Sequence, residues 1–198
     1  SAIFYSQEAI AKGRNIESTV SHEIAHQWFG DSVTEKDWHH LWLSEGFATY
    51  FGALFFEQSE GRNNFIQIMK KSRKRIFQSK STDRSIVDYE IKDLYKLLNS
   101  NNYSKGAWVL HMLRGLLGDE IFFNGISKYY SKYKNKTVLT DDFMTTMEEV
   151  SGKNLQYFFD QWIFSPGYPI IEFEQNWIPK NNGNGKMIIT INQTQKKE

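Results

Sequence analysis

The segment LWLSEGFATYFGALFFE, residues 41–57, places the strongest constraint on the fold of this chain. It is long enough for about five helical turns, and it is apolar on almost every side. A helix of that kind is stable when other elements of the same domain enclose it. The segment nevertheless contains Glu45, and an unpaired ionised carboxylate is strongly disfavoured in such surroundings. The sequence therefore predicts a buried central helix whose Glu45 has a specific partner, either a Lys side chain or a metal ion.

The length and composition fit a globular protein with one compact domain and a smaller additional segment. The chain has 198 residues, of which 40% are apolar and 24% are charged. The net charge of +1 gives no general attraction to nucleic acid or to an anionic membrane. No apolar run approaches the roughly 18 residues that span a bilayer, and the first residues lack the pattern of a signal peptide. The sequence thus predicts neither nucleic acid binding nor membrane insertion by this segment.

A metal-binding pattern lies inside a stretch of helical apolar spacing over residues 16–29. His22, Glu23, Ile24, Ala25 and His26 form the pattern His-Glu-x-x-His. On a helix the two histidines project from one face about one turn apart, so they can bind the same ion. The chain contains no Cys, so any further ligand must be another His or a carboxylate. The pattern predicts a metal site that needs a third ligand.

Two extensions of the pattern can supply that ligand. Catalytic zinc usually takes three protein ligands and leaves a fourth position for water. One extension requires Gly and His three and six places after the second His, but these positions are Phe29 and Ser32. The other requires a Glu on a second buried helix, and Glu45 follows His26 after eighteen intervening residues. The sequence favours His22, His26 and Glu45 as the ligands of one Zn²⁺ per chain.

The remaining histidines and the basic run over residues 70–75 are assigned simpler roles. His39 and His40 are adjacent, so they point apart on any regular element, and neither is predicted to bind a metal. His111 lies in the sequence AWVLHML and is predicted to pack within a helix. The basic run predicts a solvated helix face. The alternative, a helix that binds nucleic acid, conflicts with the nearly neutral charge of the chain.

Helical spacing continues through most of the chain after the central helix. It predicts further helices over residues 62–79, 103–117, 119–133, 140–150 and 155–163. We expect Thr140 and Asp141 to cap the fourth of these helices.

The pattern changes after the sequence SPGYP. The alternating segments IIEFEQNWI and MIITINQT flank the turn-rich NNGNG, which predicts a β-hairpin. Because two strands alone are marginally stable in water, we expect a boundary here. The prediction is a catalytic domain over residues 1–168 and the truncated start of a β-sandwich-like domain over residues 169–198.

Three motifs occur in a fixed order: VSHEIAHQWFGDSV, LWLSEGFATYF and YSKGAWVLHML. Together they resemble the zinc aminopeptidase family that includes alanyl aminopeptidase N and the leukotriene hydrolase. The resemblance covers residues 3–168. Thermolysin-type endopeptidases share the two-helix arrangement, but they normally carry Asp where this chain has Thr49. The resemblance implies a mainly α, thermolysin-like helical catalytic domain, with a truncated β-hairpin from a following β-domain.

The resemblance also implies a role for each residue of the site. His22, His26 and Glu45 would bind zinc, Glu23 would be the general base, and the Tyr103 hydroxyl would stabilise the reacting carbonyl. The implied substrates are peptides with a free amino terminus, and water activated by zinc would be the nucleophile. Two alternatives stay open, a zinc-binding scaffold without turnover and an epoxide hydrolase of the leukotriene type.

One departure from the family concerns the substrate amine. Such aminopeptidases carry a Gly-x-Met-Glu-Asn motif upstream of the zinc helix, and its Glu binds the free amine. None of the five Met residues of this chain is followed by Glu-Asn. The resemblance therefore implies a longer parent chain that supplies this motif, an amino-terminal β-domain and most of the region after Pro169. Because loss of a charge-assisted contact can cost several kcal/mol in transition-state binding, we expect weak or no activity from this chain alone.

Overall fold

A long buried helix, α3 (Trp42–Glu60), forms the centre of the structure. The structure is a computed structural model, and it describes residues 2–5, 7–11, 16–180 and 183–195. Ten residues of α3 are buried, and the side chains of Trp42, Phe47 and Tyr50 are fully enclosed. The prediction of a central helix that is enclosed on almost every side is confirmed.

The described residues form seven more helices, and the second, fourth and fifth helices of the chain pack against α3. The seven helices are α1 (Gln7–Ala11), α2 (Glu17–His26), α4 (Arg62–Gln78), α5 (Gly106–Leu117), α6 (Asp119–Tyr133), α7 (Thr140–Ser151) and α8 (Gln156–Phe159). Short 3₁₀ turns occur at Trp38–His40, Lys80–Asp83 and Leu94–Leu97. Wider π-helical turns precede α5 at Asn101–Lys105 and follow α8 at Asp160–Phe164. Among the described residues no helix has both the length and the apolar character needed to cross a bilayer.

Two details of the predicted helices are wrong. The helix predicted over residues 16–29 ends at His26, because the chain turns back at Gly30, whose φ of 127° favours glycine. The cap of α7 is also different. The Asp142 carboxylate accepts the Leu139 N–H at 2.8 Å, while the Thr140 hydroxyl is hydrogen-bonded to Trp42.

A small parallel sheet connects distant parts of the helical region. β1 (Val33–Glu35) pairs with β2 (Lys136–Val138). The Lys36 N–H extends this ladder by donating to the Val138 carbonyl at 2.8 Å. Sequence periodicity did not predict these strands, because three residues are too few to reveal alternation. The sheet holds the segment that follows α2 close to the start of α7.

The core of the helical region is rich in aromatic side chains. Phe47 of α3 lies 5.0 Å from Phe143 and 5.9 Å from Tyr129, measured between ring centroids. Arg114 of α5 is buried and donates to Glu57 at 2.7 Å and, through two nitrogens, to Asp119. This bidentate pairing satisfies a buried guanidinium and links α3, α5 and the first turn of α6.

The basic run and His111 behave as predicted. The side chains of Lys70, Lys71, Arg73, Lys74 and Arg75 are exposed along α4, as expected for a solvated helix face. His111 packs in a helix against the rings of Phe65 and Trp108, at centroid distances of 5.2 and 5.3 Å.

The chain divides into two units, Ser1–Pro166 and Gly167–Glu198. The second unit contains the predicted hairpin, formed by β3 (Ile171–Pro179) and β4 (Gly185–Gln193), which pair antiparallel. Residues 181 and 182 of the predicted turn lie outside the described residues. That residues 1–168 form a catalytic domain and residues 169–198 the start of a β-sandwich-like domain stays a prediction.

Candidate metal centre

The three predicted metal ligands converge on one point between α2 and α3. His22 Nε2 lies 3.0 Å from His26 Nε2, and each of these atoms lies 3.2 Å from Glu45 Oε2. The two histidines are one turn apart on α2, and Glu45 lies in the first turn of α3. Two imidazole nitrogens and one carboxylate oxygen therefore form a nearly equilateral triangle. Within the described residues this is the group of His and carboxylate side chains that could hold a metal ion.

The dimensions and chemistry of this triangle fit zinc. Protein nitrogen and oxygen ligands lie about 2.0–2.1 Å from zinc, so neighbouring ligands of a tetrahedral ion are roughly 3.3 Å apart. The observed separations of 3.0–3.2 Å are close to that value. Nitrogen and carboxylate ligands are also those that zinc accepts, and three of them leave one position open.

A close contact between the helix backbones brings the ligands together. At Gly52 a Cβ atom would lie only 3.1 Å from the His22 nitrogen and 3.2 Å from its Cα. Any larger residue at position 52 would push α2 away from α3. The glycine thus allows the approach that places the α2 histidines beside Glu45.

Hydrogen bonds behind the ligands fix their orientation. His26 Nδ1 lies 3.0 Å from the Phe29 carbonyl oxygen. A carbonyl only accepts hydrogen bonds, so Nδ1 carries a proton and Nε2 is the ring nitrogen that can bind a metal. Thr49 Oγ1 lies 3.5 Å from Nδ1 of His22, at the position where thermolysin-type enzymes normally carry Asp.

The electrostatics favour an ionised ligand at position 45. Burial raises the pKa of the Glu45 carboxyl, but hydrogen bonds with His22, His26 and Tyr103 outweigh burial and lower the pKa to about 2. Burial also lowers the pKa of His26, while Glu45, the Phe29 carbonyl and the charge of Glu23 together raise it by more. The carboxylate is therefore available as a ligand across the neutral pH range.

Tyr103 reaches the same centre from a third element. It lies on the π-helical turn Asn101–Lys105, and π turns often occur at functional sites. The Asn102 amide holds this turn by donating to the Leu97 carbonyl at 2.9 Å. The Tyr103 ring lies nearly parallel to that of His22, with centroids 6.0 Å apart. Burial, and then the hydrogen bond with Glu45, raise the pKa of Tyr103, so its hydroxyl stays protonated and can donate.

Glu23 lies between the two histidines in sequence and is half-buried. Its negative charge acts on both His26 and Tyr103, as a minor cause in each case. All five residues singled out from the sequence thus belong to one region of the molecule. His22, His26 and Glu45 are in mutual contact, Tyr103 lies beside His22 and is hydrogen-bonded to Glu45, and Glu23 is an electrostatic neighbour.

Sequence reasoning did not single out one pair beside this centre. Ser44 Oγ donates a hydrogen bond to Glu35 Oε2. Burial raises the pKa of the Glu35 carboxyl. Spacing gives no signal for this pair, because Glu35 lies on a three-residue strand whose position depends on the distant β2.

The adjacent histidines at 39 and 40 have partners of their own. His39 contacts the Asp37 carboxylate at 2.6 Å and the Ile91 carbonyl at 3.0 Å. His40 is buried and contacts the Thr140 hydroxyl at 2.8 Å. Both histidines thus have hydrogen-bond partners within the fold, and that neither binds a metal stays a prediction.

Comparison with known proteins identifies the family. The profile of the peptidase family M1 domain matches residues 2–162. The chain belongs to peptidase family M1. Among curated relatives, "Aminopeptidase M1-C" of Oryza sativa subsp. japonica is 35% identical over 176 residues, which is 86% of this chain and 20% of the relative. "Aminopeptidase N" of Lactococcus lactis subsp. lactis is 35% identical over 174 residues, which is 83% of this chain and 20% of the relative.

Solved structures of the M1 family share this fold. A mutant M1 zinc metallopeptidase from Deinococcus radiodurans, bound to the substrate Tyr-Ser-Ala, superposes with a TM-score of 0.69 and 28% identity. The match covers 80% of this chain and 35% of that one. Yeast LTA4 hydrolase has a TM-score of 0.73 over 84% of this chain and 28% of its own, at 24% identity, which indicates a common fold. This M1 chain spans about one fifth of the length of the curated relatives it matches.

Proposed function

We propose that this M1 chain is the zinc-binding catalytic region of an aminopeptidase that hydrolyses the amino-terminal peptide bond of its substrates. The triangle of His22 Nε2, His26 Nε2 and Glu45 Oε2, with sides of 3.0–3.2 Å, carries the proposal. Membership of family M1 and relatives named aminopeptidases support it. The implied partners are peptides with a free amino terminus and further domains of the parent chain.

The three ligands would hold one Zn²⁺, which polarises a peptide carbonyl and lowers the pKa of water towards about 7. Glu23 would accept the proton of the attacking water and pass it to the leaving amine, because a carboxylate beside the reacting atoms is a suitable general base. The Tyr103 hydroxyl would donate a hydrogen bond to the oxygen on which negative charge develops. Its raised pKa keeps the proton that this role requires.

The Glu23→Gln variant tests the proposal. The amide is nearly isosteric with the carboxylate but cannot accept the proton. We expect Glu23→Gln to bind one zinc per chain, as the unaltered protein does, and to lose about 10²- to 10⁴-fold in kcat. Zinc is measured by elemental analysis, and turnover by release of the first residue from short peptides. Both the purified chain and the full natural protein are assayed, because this chain lacks the amine-binding motif.

Peptides acetylated at the amino terminus are the substrate control, and we expect them to be cleaved far more slowly. A full natural protein that binds zinc and cleaves no peptide would favour the inactive scaffold instead. Near-normal kcat in Glu23→Gln would remove Glu23 from the role of general base.

A further inference from the structure

Glu35 and Ser44 connect the small sheet to the first turn of α3. Ser44 directly precedes Glu45 and is 4% exposed. Its hydroxyl donates a hydrogen bond to Glu35 Oε2. Glu35 is itself fixed as the last residue of β1, where it pairs with Val138 of β2. The carboxyl group of Glu35 thus connects a strand to the turn that carries a proposed metal ligand.

Ser44 and His26 also share a neighbour, Gly30. A Cβ atom at Gly30 would lie 2.8 Å from His26 Nδ1 and 3.5 Å from Ser44 Oγ. The Ser44 hydroxyl and the His26 ring therefore pack on the same glycine. A movement of Ser44 would reach both Glu45, through the backbone, and His26, through this shared contact.

A carboxyl group at this position requires an explanation. Glu35 is half-buried, and burying a carboxyl group is costly unless hydrogen bonds satisfy it. The charged side chains that act on Glu35 include Glu45 and His26, both of which belong to the proposed centre. In metal sites, groups behind the ligands set their direction, and removing one typically costs about 10- to 100-fold in metal affinity.

We infer that Glu35 is a positioning residue of the metal centre, which acts through the Ser44 hydroxyl to aim Glu45 at the two histidines. The inference rests on the ligand set of the proposed function. It assigns Glu35 no contact with substrate. The inference requires that Glu35 and Ser44 affect metal binding through the same hydrogen bond.

A double-mutant cycle on zinc affinity tests this requirement. Zn²⁺ affinity is measured by chelator competition for the unaltered chain, Glu35→Ala, Ser44→Ala and the double variant. We expect each single substitution to weaken Zn²⁺ binding about 10- to 100-fold. The double variant should bind Zn²⁺ at least as tightly as the single variant with the lower affinity. Glu35→Gln keeps an oxygen that accepts from Ser44, so we expect it to restore most of the affinity.

Ser72→Ala is the matched control. Ser72 is 5% exposed, its hydroxyl lies 3.5 Å from the Ser104 carbonyl, and it belongs to α4, which carries none of the three ligands. We expect this change to leave zinc affinity unaltered. The visible spectrum of the Co²⁺-loaded chain gives a second measurement, since a misdirected Glu45 changes the coordination geometry whereas a loss of stability alone does not.

The outcomes separate the two proposals. If the unaltered chain binds no Zn²⁺, the ligand set of the proposed function is wrong. If it binds Zn²⁺ but the two single losses multiply in the double variant, Glu35 does not act through Ser44. Circular dichroism of the metal-free variants shows whether each one is folded. If Glu35→Ala is unfolded, the Zn²⁺ affinity of Glu35→Gln tests the inference in its place. A loss in Glu35→Gln as large as that in Ser44→Ala, or an unchanged cobalt spectrum in Ser44→Ala, would overturn the inference.

Discussion

The two helices that carry the proposed ligands are held in place very differently. Ten residues of α3 are buried, whereas the buried residues of α2 are Ser21 and Ala25. Ile24 of α2 and Trp28, which lies two residues after the helix, are exposed by 46% and 48%. Burial of apolar area is the main source of stability in a folded protein. Folding therefore fixes Glu45 more firmly than it fixes the two histidines.

The side-chain hydrogen bonds reinforce this difference. The first turn of α3 is held by Trp42 Nε1, which donates to the Thr140 hydroxyl at 2.9 Å, and by Ser44, which donates to Glu35. α2 depends on its close approach to Gly52 and on the His26 contact with the Phe29 carbonyl. We infer that a bound metal would stabilise α2 more than α3, because metal binding adds folding free energy where the ligands are least fixed.

Loss of one α2 ligand gives the largest expected effect. We expect His22→Ala to lose zinc binding at least about 1,000-fold, because two remaining ligands do not enclose the ion. The change should also remove the increase in melting temperature that zinc gives to the unaltered chain. Zinc content by elemental analysis and thermal unfolding with and without zinc measure both effects.

His39→Ala is the matched control, because His39 contacts Asp37 and the Ile91 carbonyl and belongs to neither ligand helix. It should keep one zinc per chain. Stoichiometric zinc that resists chelators in His22→Ala would mean that the assignment of the site is wrong.

Tyr103 joins the two helices, since its ring lies beside His22 and its hydroxyl bonds to Glu45. We expect Tyr103→Phe to lower kcat of the full natural protein by about 100-fold with little change in KM, because the donor matters mainly in the transition state. Steady-state kinetics measure both constants. Tyr95→Phe, at a side chain that is 85% exposed, should change neither. A change confined to KM would indicate a role in substrate binding or packing.

The parts of the site that could be predicted depend on short sequence distances. His22 and His26 are four residues apart, so their common face follows from helix geometry, and Glu23 follows His22 directly in the sequence. Glu45 was predictable because a carboxylate in an apolar helix is costly without a partner. The position of Tyr103, by contrast, came from the family resemblance, since one Tyr among 10 has no distinguishing spacing.

The parts that could not be predicted depend on distant pairings. Thr140 contacts Trp42 across 98 positions and His40 across 100. No local pattern reveals such partners. The misplaced cap of α7 has the same cause: Thr140 has the right chemistry for a cap, but His40 and Trp42 compete for its hydroxyl. Asp142 then takes the cap.

The crossing of the two helices at Gly52 gives a smaller effect. A Cβ atom there would meet the backbone of His22 at 3.1–3.2 Å. We expect Gly52→Ala to weaken zinc binding about tenfold and to destabilise the chain by about 1–2 kcal/mol, because the backbone of α2 must shift. Chelator competition and urea unfolding measure the two changes.

Gly115→Ala is the control for the substitution itself. Gly115 lies in α5, and a Cβ atom there would meet nothing within 4 Å. The alanine should stabilise the chain by about 0.5–1 kcal/mol and leave zinc binding unaltered. Equal effects at both positions would mean that the approach at Gly52 does not control the geometry of the site.

The smallest effect concerns the pH dependence of stability at His40, which contacts Thr140 beside the first turn of α3. The Thr140 N–H donates to His40 Nδ1 at 3.1 Å, so this nitrogen carries no proton, and Nε2–H donates to the Tyr89 hydroxyl at 2.7 Å. His40 is therefore neutral in the folded chain, and burial lowers its pKa below the usual 6.5 although Asp37 and Asp141 oppose this.

A lowered pKa in the folded state fixes the sign of the effect. As pH falls below about 6.5, the unfolded chain takes up a proton at His40 that the folded chain refuses, so stability present at neutral pH is lost. One such group contributes at most about 1.4 kcal/mol per pH unit to the slope. We expect His40→Gln to reduce the slope of unfolding free energy between pH 7.5 and 5.5, measured by urea unfolding without metal. His111, whose pKa burial also lowers, is present in both proteins and cancels. An unchanged slope would mean that His40 titrates alike in both states, so its contact with Thr140 would not hold α3 in the way the hydrogen bonds indicate.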